Sequence, residues 1–299
     1  MPIYDGLVVV DKPPGWTSHD VVAKLRKAYG QRRIGHAGTL DPDATGVLLV
    51  GAGRATRLLR FLQNATKAYR AEIVFGVATT TLDAAGDIVD RQEMSITPDD
   101  LTQVAARFVG EIEQVPPMVS AVKVGGRRLH ELARLGVEVD RDARRVRVDR
   151  LDVESFEPGA YPRATVVVEC SSGTYVRSLA ADLGTALGGC AHVAALRRLR
   201  VGSFVLDEAH PLDAVLAEPQ ACLLPPLVAV RDLPRVDATA ELTRGARHGV
   251  TFAVSAFTGV PASSGPVALV DPAGQLLAVY ERTGSALRPL VVVSDAAGC

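Results

Sequence analysis

Residues 33–50, RIGHAGTLDPDATGVLLV, hold one acid, Asp41, in a glycine-rich loop that runs into an apolar strand. Pro42 disfavours the α region for the residue before it, so Asp41 is expected on extended or turn backbone. Gly35, Gly38 and Gly46 offer the loop angles that other residues resist. A carboxylate on such a tightly approached loop, with His36 and Thr39 beside it, reads as a nucleophile or a general base. The run DPDAT (41–45) also fits the DxDxT pattern of aspartyl phosphotransferases, where the first Asp attacks phosphorus and magnesium screens the charge. That pattern needs an apolar strand delivering the Asp, whereas GHAGTL precedes it here, and no second acid pair follows for the metal. Asp43 then reads as a solvated turn residue. Cys190 and His192 lack further ligands, and the four cysteines (170, 190, 222, 299) show no CxxC or Cys/His spacing. Reduced thiols and no metal site are expected.

These residues belong to a chain of 299 amino acids, 47 % hydrophobic and 22 % charged, which is ordinary for a globular protein with one large domain or a large and a small one. No apolar run reaches the ~18 residues that span a bilayer. The start, MPIYDGLVVVDKPPG, carries an acid before a short apolar run and does not read as a secretory signal; a cytoplasmic location is expected. The net charge of −1 hides an asymmetry: residues 1–70 carry eleven Lys and Arg against five Asp and Glu, and 119–150 carry nine against five. Two basic stretches on one face would suit a polyanion; the plainer reading is two solvated helix faces.

The elements that must hold the loop are legible in outline. GLVVV (6–10) reads as a buried strand and VLLV (47–50) as another. Ser18 is the expected N-cap of a helix with Val21, Val22, Leu25 and Ala28 on one face and Gly30 past its end. A second helix is expected over about 54–63. KAYRAEIVFG (67–76) alternates as a strand with Tyr69, Ala71, Ile73 and Phe75 on one side. Thr97, Pro98, Asp99 and Asp100 mark a helix start. Residues 126–150 are charged and poor in apolar residues, so they read as a protruding arm with a short helix, a turn at Gly136 and a strand. ATVVVEC (164–170) is a strand, followed by a helix from TYVRSLAADLGTAL; residues from about 211 to 232 look like a boundary, and 233–299 like a small β-rich module.

The chain resembles the bacterial tRNA pseudouridine-55 synthases, the TruB family. The resemblance is an ordered series across nearly the whole chain: GLVVVDKPPGWTSHDVV, RIGHAGTLDPDATGVLLV, ATRLLRFLQNATKAYRAEIVFG with TTTLDAAG, IEQVPPMVSAVKVGGRRLHELARLG, CSSGTYVRSLAADLG and GCAHVAALRRLRVGSF. It implies an α+β pseudouridine synthase fold with a mixed, mostly antiparallel central sheet over 1–230, an arm or thumb at about 119–150, and a small PUA-like RNA-binding domain over 231–299. It implies an isomerase that converts uridine-55 of the tRNA T loop to pseudouridine. That reaction exchanges an N1–C1′ for a C5–C1′ bond with no gain or loss of atoms, so no cofactor is implied.

The same resemblance assigns roles. Asp41 is the implied nucleophile or base, Arg177 its partner, and Tyr69 the aromatic that stacks on the target base and relays a proton. Tyr175 and Leu196 are implied lining of the uracil pocket, and His36 a filler of the stack left by the flipped base. Lys12 is placed near the pocket, either structurally or on a phosphate, and Asp83 as a loop-ordering acid. Arg32, Arg33, Arg54, Arg57, Lys123, Arg127 and Arg128 are the candidates for RNA-backbone contacts. The implied partner is the T arm of tRNA, with no membrane and no protein partner, and a monomer is the default. A purely RNA-folding protein and a guide-RNA-dependent relative are the alternatives in other classes. The C-terminal module departs most from the family, being short and slightly acidic.

Overall fold

A computed structural model of the protein describes residues 4–293 except 121, 122, 125, 130–134, 136 and 138, and gives backbone alone for 123, 124, 127 and 128. Its larger part is built on β1 (Gly6–Lys12), β2 (Ile34–His36), β3 (Thr45–Ala52), β4 (Lys67–Phe75), a side hairpin of β5 (Val77–Thr79) and β6 (Ile88–Arg91), β7 (Gly110–Gln114), a small ribbon of β8 (Lys123–Val124) and β9 (Arg127–Arg128), β10 (Arg144–Glu157), β11 (Arg163–Cys170), β12 (Ala191–Val201), β13 (Phe204–Val205) and β14 (His210–Pro211). Ten of these strands form one sheet in the order β14-β1-β3-β12-β4-β11-β10-β7, with β2 on β3 and β13 on β12. The β1–β14 and β3–β12 pairs are parallel and the others antiparallel. The expected mixed, mostly antiparallel α+β architecture is what the chain adopts.

At β1 and β3 the sheet is buried on both faces, which is why these two strands read as unbroken apolar runs, whereas β4 and β11 bury one face and alternate. Val8, Val10, Leu48 and Val50 face one side with Tyr69, Ala71, Ile73 and Phe75. There they pack on α1 (Ser18–Ala28), α3 (Pro98–Ala106) and α4 (Val176–Ala186); the short α2 (Leu59–Gln63) lies between α1 and α3 in the chain. Leu7, Val9, Val47 and Leu49 face the other side. The α1 cap is Thr17 rather than Ser18: its hydroxyl accepts from the Asp20 N–H in a capping box, while Ser18 is buried and bonds the Leu40 backbone. The helix expected over 54–63 is split into a 3₁₀ turn (Gly53–Arg57) and α2. The expected arm helix and its turn at Gly136 lie largely outside the described residues; β8 and β9 pair as a hairpin there.

After α5 (Leu212–Ala217) the chain builds a second sheet of β15 (Arg235–Asp237), β16 (Phe252–Ala253), β17 (Pro266–Val270), β18 (Leu276–Thr283) and β19 (Ala286–Val292), with α6 (Ala240–Arg247) against it. This module is not separate from the larger part. Ala268, Leu276, Val279, Val291 and Val293 share an apolar cluster with Leu7, Val9, Leu58 and Leu59. Arg57 also donates to the Val292 carbonyl at 2.6 Å.

β12 was not foreseen as a strand, and it is the centre of the sheet. It runs antiparallel to β4 over nine register pairs, with bulges between Val193 and Ala195 and between Arg198 and Arg200. It meets β3 in parallel only at Arg197–Thr45 and Arg198–Gly46, directly after the Asp41 loop. Gly46 makes this approach feasible. Its φ is 102°, and a Cβ there would collide with the Arg198 carbonyl oxygen.

Candidate active site

The loop between β2 and β3 delivers Asp41 to the wall of a cleft of about 280 Å³. Lys12 fixes that loop from behind. Its fully buried ammonium donates to Pro13 O (2.9 Å), Trp16 O (2.6 Å) and Pro42 O (2.8 Å), which uses its three protons. Burial draws its pKa down to about 8 against the pull of Asp43 and Asp41. Lys12 is a clamp on the loop and has no proton left for a phosphate.

Arg177, on the first turn of α4 and 4 % exposed, meets Asp41 side-on. Its Nε lies 3.1 Å from Oδ2 and its Nη2 3.2 Å from Oδ1. The same guanidinium is 3.2 Å from Asp83 Oδ2 and donates to Thr81 O (2.9 Å) and Val119 O (2.8 Å). One arginine thus ties together the Asp41 loop, the loop after β5 and the root of the arm. Gln114 reinforces that root by accepting from the Tyr175 N–H and donating to its carbonyl. Burial raises the Asp41 pKa, Arg177 pulls it down, and Asp83 pushes it up again; the balance lies above the ordinary carboxylate value.

The cleft is lined further by Tyr69, Tyr175, Leu196, Lys67 and Arg198. Tyr69 sits on the inward face of β4, as its period-two spacing predicts, and is 8 % exposed. Lys67 and Arg198 were missed in the sequence: Lys67 only opens the expected 67–76 strand, and Arg198 lies in a stretch with no expected element. Both are buried: the Lys67 ammonium donates to Gln63 O and Ala65 O, and the Arg198 Nε to Val47 O at 2.7 Å. The signal available was position, since Lys67 is two residues before Tyr69 and Arg198 two after Leu196, the same-face spacing of a strand. A second chamber of about 140 Å³, lined by Asp43, Ala84, Ala85 and Ala195, shares Asp41, Arg177 and Leu196 with the first.

His36 lies at the end of β2, outside the lining of both chambers, edge-on to His19 at 5.2 Å between ring centres. Burial, then the neighbouring His19 and Arg198, lowers its pKa to about 4. Arg32 and Arg33 are exposed on the approach to β2, and Arg33 donates to Thr56 Oγ1. Arg54 is engaged with Asp5 and Arg57 with Val292 O, so the structure gives both a part in holding the fold. The Lys123, Arg127 and Arg128 side chains lie outside what is described. Among the described residues no group of His, Cys, Asp and Glu is arranged to hold a metal ion.

A family model for the N-terminal domain of TruB family pseudouridylate synthases matches residues 26–176, and one for the tRNA pseudouridylate synthase B C-terminal domain matches 177–222. The chain belongs to the TruB family. It is 53 % identical over 251 residues to tRNA pseudouridine synthase B of Symbiobacterium thermophilum, covering 84 % of each chain. It is 45 % identical over 300 residues to that of a Mycobacterium species, covering 97 % of each. Among solved structures, a Cbf5-Nop10-Gar1 complex matches with a TM-score of 0.77 at 28 % identity, over 97 % of this chain and 85 % of that one. This TruB-family chain is therefore a member of an isomerase family with a pseudouridine synthase fold. The two family models meet between Val176 and Arg177, so the cleft is built from both: Asp41 and Tyr69 from the first, Arg177 and Leu196 from the second.

Proposed function

We propose that this protein isomerises uridine-55 in the T loop of tRNA to pseudouridine, acting alone, without a cofactor, on a base flipped out of the RNA. The observation that carries the reading is the Asp41 carboxylate, held side-on by Arg177 at the edge of a cleft whose other walls are Tyr69 and Leu196. The names of relatives at 45–53 % identity supply the tRNA.

In this reading the flipped uracil enters between Tyr69 and Leu196. Flipping costs a few kcal/mol, which stacking and pocket contacts offset. Asp41 acts as nucleophile or base while the N1–C1′ bond breaks, the base turns, and C5 joins C1′. The C5 proton leaves and N1 gains one, so the sum is an isomerisation. Arg177 opposes the protonation that burial favours in Asp41. His36, with Arg32 and Arg33 near it, meets the T loop. The arm at about 119–150 closes over the RNA from its root at Val119. Residues 1–230 form the catalytic domain and 231–299 a PUA-like module that adds RNA surface. A monomer in the cytoplasm completes the proposal.

The test is to incubate purified protein alone with unmodified tRNA transcripts and map pseudouridine by position. Modification confined to the T-loop uridine is expected. No pseudouridine, or pseudouridine only when a second protein or guide RNA is added, contradicts the reading.

A further inference from the structure

Charge is spread unevenly along the cleft. Arg177 is answered by Asp41 and Asp83. Lys67 and Arg198, 7 % and 1 % exposed, meet backbone carbonyls and no carboxylate among the described residues. A buried cation without a counter-charge is costly, and burial with the nearby Arg198 draws the Lys67 pKa down to about 8. The strands set where the two cations stand. Lys67 lies two residues before Tyr69 on β4 and Arg198 two after Leu196 on β12, with Arg198 opposite Tyr69 in register. All four share one face of the sheet and line the 280 Å³ chamber. A Cβ on Gly38 would lie 3.7 Å from Arg198 Nη1 and 3.8 Å from Lys67 Cε, so both cations stand against the same turn of the Asp41 loop. Asp41, Arg177 and Leu196 line the second chamber as well, and Lys67 and Arg198 do not. The two uncompensated charges therefore belong to the end of the cleft away from that chamber.

We propose that Lys67 and Arg198 form an anion-stabilising pair for the negative charge that the pyrimidine acquires as its N1–C1′ bond breaks. The proposal rests on the tRNA uridine reading above. In that heterolysis the bonding electron pair stays with the base, which becomes a uracil anion with its charge shared by N1 and the two carbonyl oxygens. Asp41 takes C1′ as an ester or removes the neighbouring 2′ proton. When C5 bonds to C1′ the ring charge is consumed, and Asp41 leaves C1′ or returns the proton. The C5 proton then departs and N1 takes one up, so atoms and electrons balance. The bound uridine is neutral, so the pair gains its counter-charge only as the bond breaks, which favours the transition state over the ground state. The substrate's other anion, a backbone phosphate, carries its charge from the moment of binding, and the experiment separates the two.

The experiment compares wild type, Lys67→Met and Arg198→Met in single-turnover reactions on two T-arm hairpin RNAs, with RNA binding and thermal melting measured on each protein. One hairpin carries uridine at the target position. The other carries 5-fluorouridine, whose fluorine draws charge off the departing base, and loss of that nucleoside from nuclease digests reports the bond cleavage. On uridine each Met variant should lose roughly 10²-fold in rate at nearly unchanged RNA affinity. On 5-fluorouridine the same changes should cost less than about tenfold, because the substituent already carries part of the charge. Equal losses on both RNAs would mark a structural role and overturn the proposal. Wild-type rates overturn it too, as does a loss of RNA affinity that accounts for the whole effect, the signature of a phosphate contact. Should a Met variant fail to fold, competition on the wild type decides. Barbiturate, a planar pyrimidine that is anionic at neutral pH, should inhibit at a concentration at least about fivefold below that of neutral uracil. Equal or weaker inhibition by barbiturate overturns the proposal. Wild-type inactivity on the uridine hairpin would instead overturn the functional reading, so the two failures are distinguishable.

Discussion

Around the cleft, Lys12, Lys67, Arg177 and Arg198 are all buried, and among the described residues only Arg177 meets carboxylates. In the C-terminal module the charges sit at the rim and close turns. Arg235 pairs with Asp237 on the surface, and the buried Asp271 accepts from the N–H groups of Ala273 and Gln275. Its core is apolar, and its fully buried Tyr280 has its hydroxyl satisfied by Val250 O at 2.9 Å. The same chain thus buries cations where it has a cleft and avoids doing so where it only has to pack. Buried charge is a poor way to stabilise a fold. Its concentration at one end marks where the protein gives up stability for chemistry, and the shared apolar seam through Val279 and Leu276 compensates from the other end.

Replacing a cleft cation should therefore affect rate, and replacing a module residue should affect stability. Arg177→Met should produce the largest effect, a loss of about 10³-fold in single-turnover rate. With its downward pull removed, the Asp41 pKa rises further, so the residual activity should require higher pH than in the wild type. In the wild type itself, Asp41 already lies above the ordinary carboxylate value. The rate should fall as pH drops through that raised pKa, which a pH profile measures. An Arg177→Met profile unmoved from wild type would break the comparison.

Val279→Ala opens a cavity in the seam between module and cleft domain and should cost about 2 kcal/mol in urea unfolding. The rate well below the melting temperature should stay within about threefold. A smaller effect concerns His36, whose folded pKa of about 4 lies below its unfolded value. A group shifted in this sense contributes stability that is complete above about pH 6.5 and is lost as pH falls toward 4. Discounted for its partial exposure, His36→Asn should remove about 1 kcal/mol of that acid sensitivity, read from unfolding curves at pH 7 and pH 4.5. Tyr280→Phe should be smallest, near 1 kcal/mol or less in stability with the rate unchanged.

The alternation in KAYRAEIVF and the capping pattern at Thr97 made β4 and α3 legible, because local hydrogen bonding and period-two burial decide them, and α1 was legible from its apolar spacing although its cap is Thr17 and not the expected Ser18. The family motifs put Asp41, Tyr69, Arg177 and Leu196 at one site, and the structure does bring these four to one cleft. β12 escaped because AHVAALRRLRV carries three arginines, and burial of Arg198 depends on carbonyls from β3 and the Asp41 loop, remote in sequence. The tie between module and cleft domain was equally invisible. Val279 and Val291 are apolar on a strand either way, and only the packing shows that Leu7 and Leu58 belong to the same cluster.

The most direct test of the account is tritium release from tRNA carrying [5-³H]uridine, because moving C1′ onto C5 must expel the C5 hydrogen. Purified wild-type protein should release the label of one T-loop uridine per tRNA. Asp41→Asn, which keeps the shape and loses the charge, should bind the same tRNA and release none. Wild-type release rates from Asp41→Asn would show that the carboxylate beside Arg177 does not carry the reaction.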